Sequence, residues 1–540
     1  MLRAKRYFWF FCIFFAAIIL PAYFASDAFQ TRNSEVIVKI SEKPVRTIQL
    51  NDMLGTTTLM HIDTRGDWAK YNMTELLNEM RIGAIRFPGG TLGDNYLWDE
   101  HRLQRWEGFP SRSEPGKISD PDWEDYKTLV KVVRAVPSIR TVVLVANFDG
   151  AFRTGSDGWL TSADKASAGI DKFADKAKSW AQTLRKELGA TYTFIWEIGS
   201  ETYFGLGTNF SFRIDPAEYA KALKVFYRKI KEGDPQSIVA VAGPFDKNGK
   251  GKKQGNPFMY TWQGDRADYA ARSWWDVVIG IAGDSFDQAT FHNYKSMPLV
   301  RDRTAFKLNS ASQADTLRNA INFIKSRTSK TVTFSFTEFN GSDKDTAGSN
   351  VTGLEHVLDM SEQMGDFFQS GADLLMYWAF RTNDFLHPLV SKKPVDGKLV
   401  KHPPFHMMRM WAHYMQPNIY ASTSNDDKAI YTFSTANSSQ NLYGFFLINR
   451  TDSERLVKIY IQQAGKISNA EGETLFDDGK NLSPITRNKL GSAVDNDVVI
   501  VPAKVVTIEG DTVAVRLPAR SLSAIRLRWI PYSDKNVSVN

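Results

Sequence analysis

Two glutamates close to the ends of short apolar runs are the residues of this 540-residue chain best placed to do chemistry. Glu201 follows TFIWEIGS at 193–200, and Glu338 lies near the end of TVTFSFTEF at 331–339. Glycoside hydrolysis needs such a pair, because one carboxyl group protonates the leaving oxygen while the other acts as nucleophile or base. A charge at the end of an apolar strand has few structural uses. Glu201 and Glu338 are therefore the candidate catalytic pair.

The elements that must position this pair alternate between strands and helices. Eight β-branched or aromatic runs predict strands at 54–60, 84–87, 141–148, 193–199, 237–245, 288–294, 331–339 and 372–380. Segments with helical periodicity, such as 126–136 and 217–232, lie between them. This alternation predicts a parallel sheet, and eight repeats of roughly 40 residues favour a closed (β/α)8 TIM barrel over an open doubly wound sheet.

The pattern changes after about residue 416, where helices give way to short alternating runs with polar turns. LYGFFLINR at 442–450 and LSAIRLRWI at 522–530 are examples. Such runs predict a C-terminal all-β sandwich over 416–540. The run EVIVKI at 35–40 predicts one further strand, so residues 29–47 could belong to the sandwich and leave 48–415 as the catalytic barrel.

Polar residues at the carboxyl ends of the predicted strands are the candidate site, because a barrel carries its function there. The candidates are Arg86, Asn147, Ser200, Glu201, His292, Tyr294, Glu338 and Trp378. Glu197 competes with Glu201, since alternation along a strand puts both on one face. We prefer Glu201 because it lies beyond Gly199, past the end of the strand.

Several motifs resemble those of family 51 α-L-arabinofuranosidases. They are RFPGG at 86–90 followed by a Tyr and a Trp, Gly-x-Glu at 199–201, His-x-Tyr at 292–294, Glu-aromatic-Asn at 338–340, and LYGFFLINRT at 442–451. The wider group of retaining (β/α)8 glycosidases, with the acid on strand four and the nucleophile on strand seven, shares the middle three motifs more loosely. The resemblance covers most of 48–530 in order.

The resemblance implies a role for each matching residue. Glu201 would be the acid/base and Glu338 the nucleophile, Arg86 and Tyr294 would hydrogen-bond the nucleophile, and His292 would line the sugar subsite. Trp378 is a further candidate for substrate binding. The resemblance implies no metal and no cofactor.

Ser200 departs from the pattern of these enzymes, which usually carry an asparagine there that binds the 2-hydroxyl of the sugar. A serine hydroxyl is shorter and lacks the separate donor and acceptor of an amide. Either the substrate differs at that carbon, or another residue such as Asn147 or Asn293 makes the contact. Ser200 therefore argues against an arabinofuranoside as the substrate.

The N-terminus resembles an export signal. Three basic residues precede an apolar run at 7–20, and small residues follow at Ser26 and Ala28. Residues 1–28 are predicted to be a cleaved signal peptide or, alternatively, an uncleaved anchor in which 7–25 span the inner membrane. Both readings place the body outside the cytoplasm, either periplasmic or secreted. The single cysteine, Cys12, lies in this segment.

Composition limits the possible partners. Hydrophobic residues make up 43% of the chain and the formal charge is only +7, which excludes a disordered chain and, without a nucleic-acid-binding motif, makes nucleic acid an unexpected partner. Tryptophans in the predicted loops (residues 98, 106, 123, 159, 262, 274 and 275) could stack on a sugar chain, and the basic segment 247–256 could close over an anionic glycan.

These observations predict an exported retaining glycoside hydrolase acting on a polysaccharide or oligosaccharide. Two alternatives remain at this point. One is an endo-acting hydrolase of exopolysaccharide secretion, resembling family 39, and the other is a non-catalytic glycan-binding or export protein.

Overall fold

A computed structural model provides the structure of the protein. It describes residues 35–50, 53–104, 119–154, 158–159, 163–204, 214–245, 273–296, 303–342, 353–382, 388–394, 396–461, 465–478 and 498–531.

Eight parallel strands form the closed barrel that the sequence predicts. In order they are Leu54–Thr57, Ala84–Phe87, Thr141–Ala146, Thr193–Ile198, Ile238–Ala242, Gln288–Ser296, Thr333–Ser342 and Leu374–Tyr377. Each strand pairs with the next, and the eighth pairs with the first. All eight carboxyl ends therefore meet at one end of the barrel, where the candidate residues were placed.

Helices pack around the barrel and follow the strands. The main ones are Met73–Met80, Tyr126–Ala135, Ala163–Leu188, Pro216–Gly233, Trp274–Ala282, Arg303–Lys325, Gly353–Ser370 and Pro403–Tyr414. Short helices span Arg65–Lys70 and Gly90–Gly93, and 3-10 turns span Asp149–Phe152 and Ser438–Gln440. Side-chain caps begin several of them: Asp125 accepts a hydrogen bond from the backbone of Thr128, which satisfies a free N–H of the first turn.

The β-domain is a ten-stranded sheet. Its strands are Val36–Thr47, Asn418–Ser424, Ile430–Asn437, Leu442–Asn449, Arg455–Tyr460, Gly465–Phe476, Val499–Pro502, Lys504–Glu509, Thr512–Leu517 and Ser521–Pro531. The first of these precedes the barrel in the chain, yet it pairs antiparallel with Asn418–Ser424 and parallel with Arg455–Tyr460. The barrel is thus inserted between two parts of the β-domain. Two small hairpins, Tyr96–Leu97 with Arg102–Leu103 and Arg153–Thr154 with Gly158–Trp159, complete the strands.

The strand Leu442–Asn449 explains why barrel and β-domain pack closely. Alternate residues such as Phe445 face the core of the β-domain, whereas Phe446 belongs to the core cluster shared with the barrel. The ring of Phe446 stacks on Trp411 with centroids 4.0 Å apart. Because side chains alternate along a strand, one strand that is apolar on both faces can join two cores. This strand therefore joins the core of the barrel to the core of the β-domain.

Within the described residues, we find no helix that is both long and apolar enough to span a lipid bilayer. The predicted signal at 1–28 lies outside the described residues, as does the basic segment 247–256.

Candidate active site

Arg86 lies at the centre of the candidate site and connects two carboxylates. This completely buried residue is the last but one of the second barrel strand. Its Nε donates to Glu197 Oε2 at 2.6 Å, and its Nη1 donates to Glu338 Oε1 at 2.7 Å. Burial lowers the pKa of Arg86, but the charges of the two carboxylates outweigh this and raise it above its ordinary value. Arg86 therefore stays charged inside the barrel and orients both partners.

Glu197 is a buried partner of Arg86 rather than a residue of the barrel mouth. Its side chain is inaccessible to solvent, and Thr290 and Thr337 both donate hydrogen bonds to Oε1, at 3.0 and 2.5 Å. Burial raises the pKa of Glu197, but the charges of Arg86 and His292 and the hydrogen bonds from Thr337 and Arg86 bring it below its ordinary value. A carboxylate held ionised in this way is a poor proton donor, which leaves Glu201 as the better candidate acid.

Glu338 and Glu201 lie on either side of His292. One oxygen of each carboxylate and a ring nitrogen of His292 all lie within 4.8 Å of one another. His292 Nδ1 is 3.1 Å from Glu201 Oε1 and 3.5 Å from Glu338 Oε2. The side chain of Glu201 is 18% exposed and that of Glu338 is 6% exposed, so the pair faces the mouth of the barrel.

Opposing effects act on the pKa of Glu338. Burial raises its pKa, the charges of His292 and Arg86 lower it, and the charge of Glu201 raises it, so the net shift is upward. Tyr294 donates a short hydrogen bond to Oε2. Burial lowers the pKa of His292, but the charge of Glu338 and the contact with Glu201 raise it above its ordinary value. A protonated His292 can therefore donate to the carboxylates.

A β-bulge aims two consecutive residues of the seventh strand into the barrel. The register between the sixth and seventh strands shifts so that Phe291 pairs with Phe336 and His292 pairs with Glu338. Thr337 is the extra residue, and both its hydroxyl and the Glu338 carboxylate reach interior partners. Bulges re-aim side chains in this way and are frequent next to active sites.

The turn that carries Glu201 has an unusual backbone. Gly199 has φ 75° and Glu201 has φ 55°, both in the left-handed region. A Cβ on Gly199 would lie 2.4 Å from Thr202 Cγ2, so this position requires glycine. A non-glycine residue with positive φ is strained and needs support from its surroundings.

Asp94 supports the strained turn that carries Glu201. This residue was not identified from the sequence. Its Oδ1 accepts a hydrogen bond from the backbone N–H of Ser200 at 2.7 Å, one residue before Glu201. Burial and the neighbouring Asp149 raise the pKa of Asp94 well above its ordinary value, which favours an uncharged carboxyl group. The only signal in the sequence is its place in the segment that follows RFPGG.

Asp94 is therefore expected to tolerate asparagine but not alanine. Asp94→Asn keeps an oxygen for the Ser200 N–H and should retain activity on an aryl glycoside within a few-fold. Asp94→Ala leaves this N–H unpaired, which costs about 1–3 kcal/mol, and should lower kcat by about 10- to 100-fold. Steady-state kinetics and the Tm of both variants test this. Equal losses in both variants would contradict the positioning role.

The remaining candidates surround the pair in different ways. Ser200 Oγ accepts from Arg86 Nη2 at 3.3 Å. Asn147 bonds to the backbone of Tyr96 and Gly150, and the Asn293 amide donates to Gln313, so both amides are engaged by the protein. Trp378 is 9% exposed and packs with Leu59, Ile62, Ala379 and, at its edge, Tyr294.

Gly90 permits the close approach of Trp378 to the site. It has φ 38°, and a Cβ there would lie 2.8 Å from Trp378 Cη2 and 3.8 Å from Glu338 Oε1. This contact gives the second glycine of RFPGG a specific purpose, because any side chain would displace the indole beside the carboxylate.

The prediction that loop tryptophans form a sugar-binding surface is wrong for the three that are buried, Trp123, Trp274 and Trp275. Trp274 and Trp275 are completely buried in the core, Trp123 is buried, and Trp98 stacks on Trp180. Burial of these large rings gains more than an exposed stack would. Residues 106 and 262 and the side chain of Trp159 lie outside the described part of the chain.

Glu201, His292 and Glu338 have donor atoms close enough to bind a metal ion. Each of the three already has a partner: His292 contacts both carboxylates, and Glu338 also accepts hydrogen bonds from Arg86 and Tyr294. These contacts satisfy the carboxylates and suit acid–base and nucleophilic chemistry.

Solved structures share this architecture at low sequence identity. A family 51 arabinofuranosidase from Xanthomonas axonopodis pv. citri matches with a TM-score of 0.63 and 14% identity, over 92% of this chain and 100% of that chain. CelM2, a bifunctional glucanase-xylanase from a metagenome library, matches with 0.61 and 13%, over 93% and 100%. Cel44A, a family 44 endoglucanase from Clostridium thermocellum, matches with 0.59 and 12%, over 92% and 100%.

No protein-family model matches the sequence, and no curated protein matches it significantly. The resemblance to family 51 is confirmed at the level of fold, and it extends to family 44. The chain therefore has the fold of the TIM-barrel glycoside hydrolases, with a barrel and a β-domain in the same arrangement.

Proposed function

We propose that this protein is a retaining glycoside hydrolase, with Glu338 as nucleophile and Glu201 as acid/base. The observation that carries the proposal is the short separation of the two carboxylates: one oxygen of Glu201 lies within 4.8 Å of one oxygen of Glu338. Retaining enzymes hold their carboxyl groups about 5–5.5 Å apart, whereas inverting enzymes need about 6.5–9.5 Å to admit a water molecule.

Each residue then has a defined task. Glu201 protonates the glycosidic oxygen while Glu338 attacks the anomeric carbon, which forms a glycosyl-enzyme ester and releases the leaving group. Glu201, now ionised, takes a proton from water as the water attacks the same carbon and frees Glu338. Arg86 and Tyr294 hold Glu338 in its attacking orientation by hydrogen bonds to different oxygens.

The substrate is proposed to be a polysaccharide or oligosaccharide. The similar structures are described as arabinofuranosidases, a bifunctional glucanase-xylanase and endoglucanases, so this fold accommodates more than one class of glycan substrate. The decisive experiment incubates the purified protein with a panel of aryl glycosides and polysaccharides. NMR of the first-formed product should show retention of the anomeric configuration, and product length should separate exo from endo action. Binding without hydrolysis of any substrate would support a non-catalytic glycan-binding protein instead.

Ser200 is expected to fit the natural substrate, so Ser200→Asn should lose activity on it. Ser200 Oγ is already held by Arg86 at 3.3 Å, and the larger amide would intrude beside the turn that carries Glu201. Contacts to the 2-hydroxyl strengthen in the transition state and contribute several kcal/mol in this class of enzyme. Kinetics on the best substrate of the panel and on an aryl arabinofuranoside test this. A gain of the variant on the arabinofuranoside would contradict the expectation.

We propose further that the protein acts outside the cytoplasm, in the periplasm or after secretion, and that residues 1–28 direct its export. N-terminal sequencing of protein from cell fractions separates a cleaved signal from an anchor at 7–25. Recovery of intact protein in the cytoplasm alone would contradict export.

A further inference from the structure

A cavity of about 560 Å³ lies between the barrel and the β-domain. Its barrel wall includes Arg81 and Arg140, close to the starts of the second and third strands, and its other wall includes Gln440 and Arg526. Since all barrel strands begin at this end, the cavity is at the opposite end from the candidate active site. Its volume falls within the range of about 300–1,000 Å³ that is usual for small-molecule sites.

The cavity is positively charged. Three arginines line it, and no Asp or Glu is among its described lining residues. Arg526 is paired with Glu471, so the uncompensated charge comes from Arg81 and Arg140. Arg140 is half-buried with its guanidinium 5.4 Å from the ring centroid of Tyr192. Neither Arg81 nor Arg140 forms an ion pair with any residue that the structure describes. Two cations that face one cavity without counter-charges form a site for an anion.

Three acids adjoin residues that line the cavity, and each is paired with a cation. Glu79 pairs with Lys401 at 2.5 Å, Glu473 pairs with Arg409, and Glu471 pairs with Arg526 at 3.2 Å. Of these cations only Arg526 lines the cavity. The charges of Arg81 and Arg140 are therefore not offset by the neighbouring carboxylates.

The imidazole of His413, which also lines the cavity, adds little positive charge to it. Burial, together with the charges of Arg81 and Arg409, lowers the pKa of His413 although it contacts the backbone of Glu79.

We propose that this cavity binds a small carboxylated sugar, with Arg81 and Arg140 holding the carboxylate. Guanidinium groups match carboxylates with paired hydrogen bonds. The other polar lining residues, Ser138, Gln416, Asn437 and Gln440, are uncharged and suit hydroxyl groups around the charged one. The inference goes beyond the proposed function, because binding here requires no hydrolysis.

Calorimetric titration of the full chain tests the proposal. The probes are digalacturonate, inorganic phosphate and the neutral disaccharide cellobiose, and the Glu338→Ala background prevents turnover of any probe. Arg81→Gln and Arg140→Gln should each weaken digalacturonate binding by about tenfold or more, as expected for a lost charged hydrogen bond. Arg228→Gln is the matched control, because Arg228 is exposed on the helix Pro216–Gly233 and does not line the cavity.

The outcomes are distinct. Tighter binding of digalacturonate than of either other probe, weakened by both variants and unchanged in the control, supports the proposal. Absence of binding, binding unaffected by the variants, equal binding of cellobiose, or tighter binding of phosphate would overturn it. Arg81 is exposed, so its replacement should leave the fold intact even if Arg140→Gln lowers the Tm. Because heat of binding is measured, failure here leaves the hydrolase proposal untouched.

Discussion

Glu338→Ala is expected to lower kcat by about 10⁴-fold or more, which corresponds to roughly 5.5 kcal/mol of barrier. Glu338 faces the barrel mouth, and Arg86 and Tyr294 hold its two oxygens, so no neighbouring carboxylate can replace it at the same position. Azide or formate should restore part of the rate on an activated aryl glycoside, because a small anion can attack the anomeric carbon from the space that the side chain leaves. Steady-state kinetics with and without the anion measure both effects.

The control for Glu338→Ala is Glu473→Ala, which removes a carboxylate that pairs with Arg409 far from the barrel mouth. It should leave kcat unchanged. Because burial and Glu201 raise the pKa of Glu338, the acid limb of kcat/KM in the wild type should lie above the ordinary glutamate range near 4.3. The ionised nucleophile is lost as pH falls through this limb. Activity of Glu338→Ala close to that of the wild type would end the assignment.

Glu201→Ala is expected to act selectively on substrates with poor leaving groups. For a natural glycoside, kcat/KM should fall by about 10²- to 10⁴-fold, because the leaving oxygen must be protonated. For a dinitrophenyl glycoside, whose leaving group needs no proton, kcat/KM should stay within about tenfold of the wild type. Comparison of the two substrates within one variant removes effects of protein concentration and folding.

Glu197→Gln is the matched test of the competing assignment. Glu197 is buried and holds Arg86, so its replacement should lower activity on both substrate classes alike and also lower the Tm. If Glu197→Gln instead shows the leaving-group selectivity and Glu201→Ala does not, the acid/base role belongs to Glu197.

The residues that make up the site could be named from the sequence because a barrel repeats a local pattern. β-branched or aromatic runs that alternate with segments of helical periodicity predict the strands, and the residues near the end of each run then fall at the carboxyl end of the barrel. This local reasoning found Arg86, His292, Tyr294 and Glu338, and the structure brings all four together.

Alternation along the strand could not distinguish the roles of Glu197 and Glu201, although the position of Glu201 beyond Gly199 favoured it as the acid. Both lie on one predicted face, and only the tertiary structure shows that Arg86, 111 residues away in the chain, pairs with Glu197 and removes it from the mouth. The positive φ of Glu201 likewise depends on the turn that Asp94 anchors. These contacts join residues far apart in sequence, so no window of neighbouring residues contains them.

The tryptophans also show that local patterns do not predict tertiary contacts. Their positions in loops predicted a sugar-binding surface, yet Trp274 and Trp275 are core residues. Composition and spacing determined the barrel, the β-domain and the strand ends, because backbone geometry and apolar periodicity are local properties. Packing between distant segments decided the rest: the pairing of carboxylates with cations, the burial of aromatic rings and the charge of the cavity. Burial and electrostatics depend on residues that the whole chain brings together.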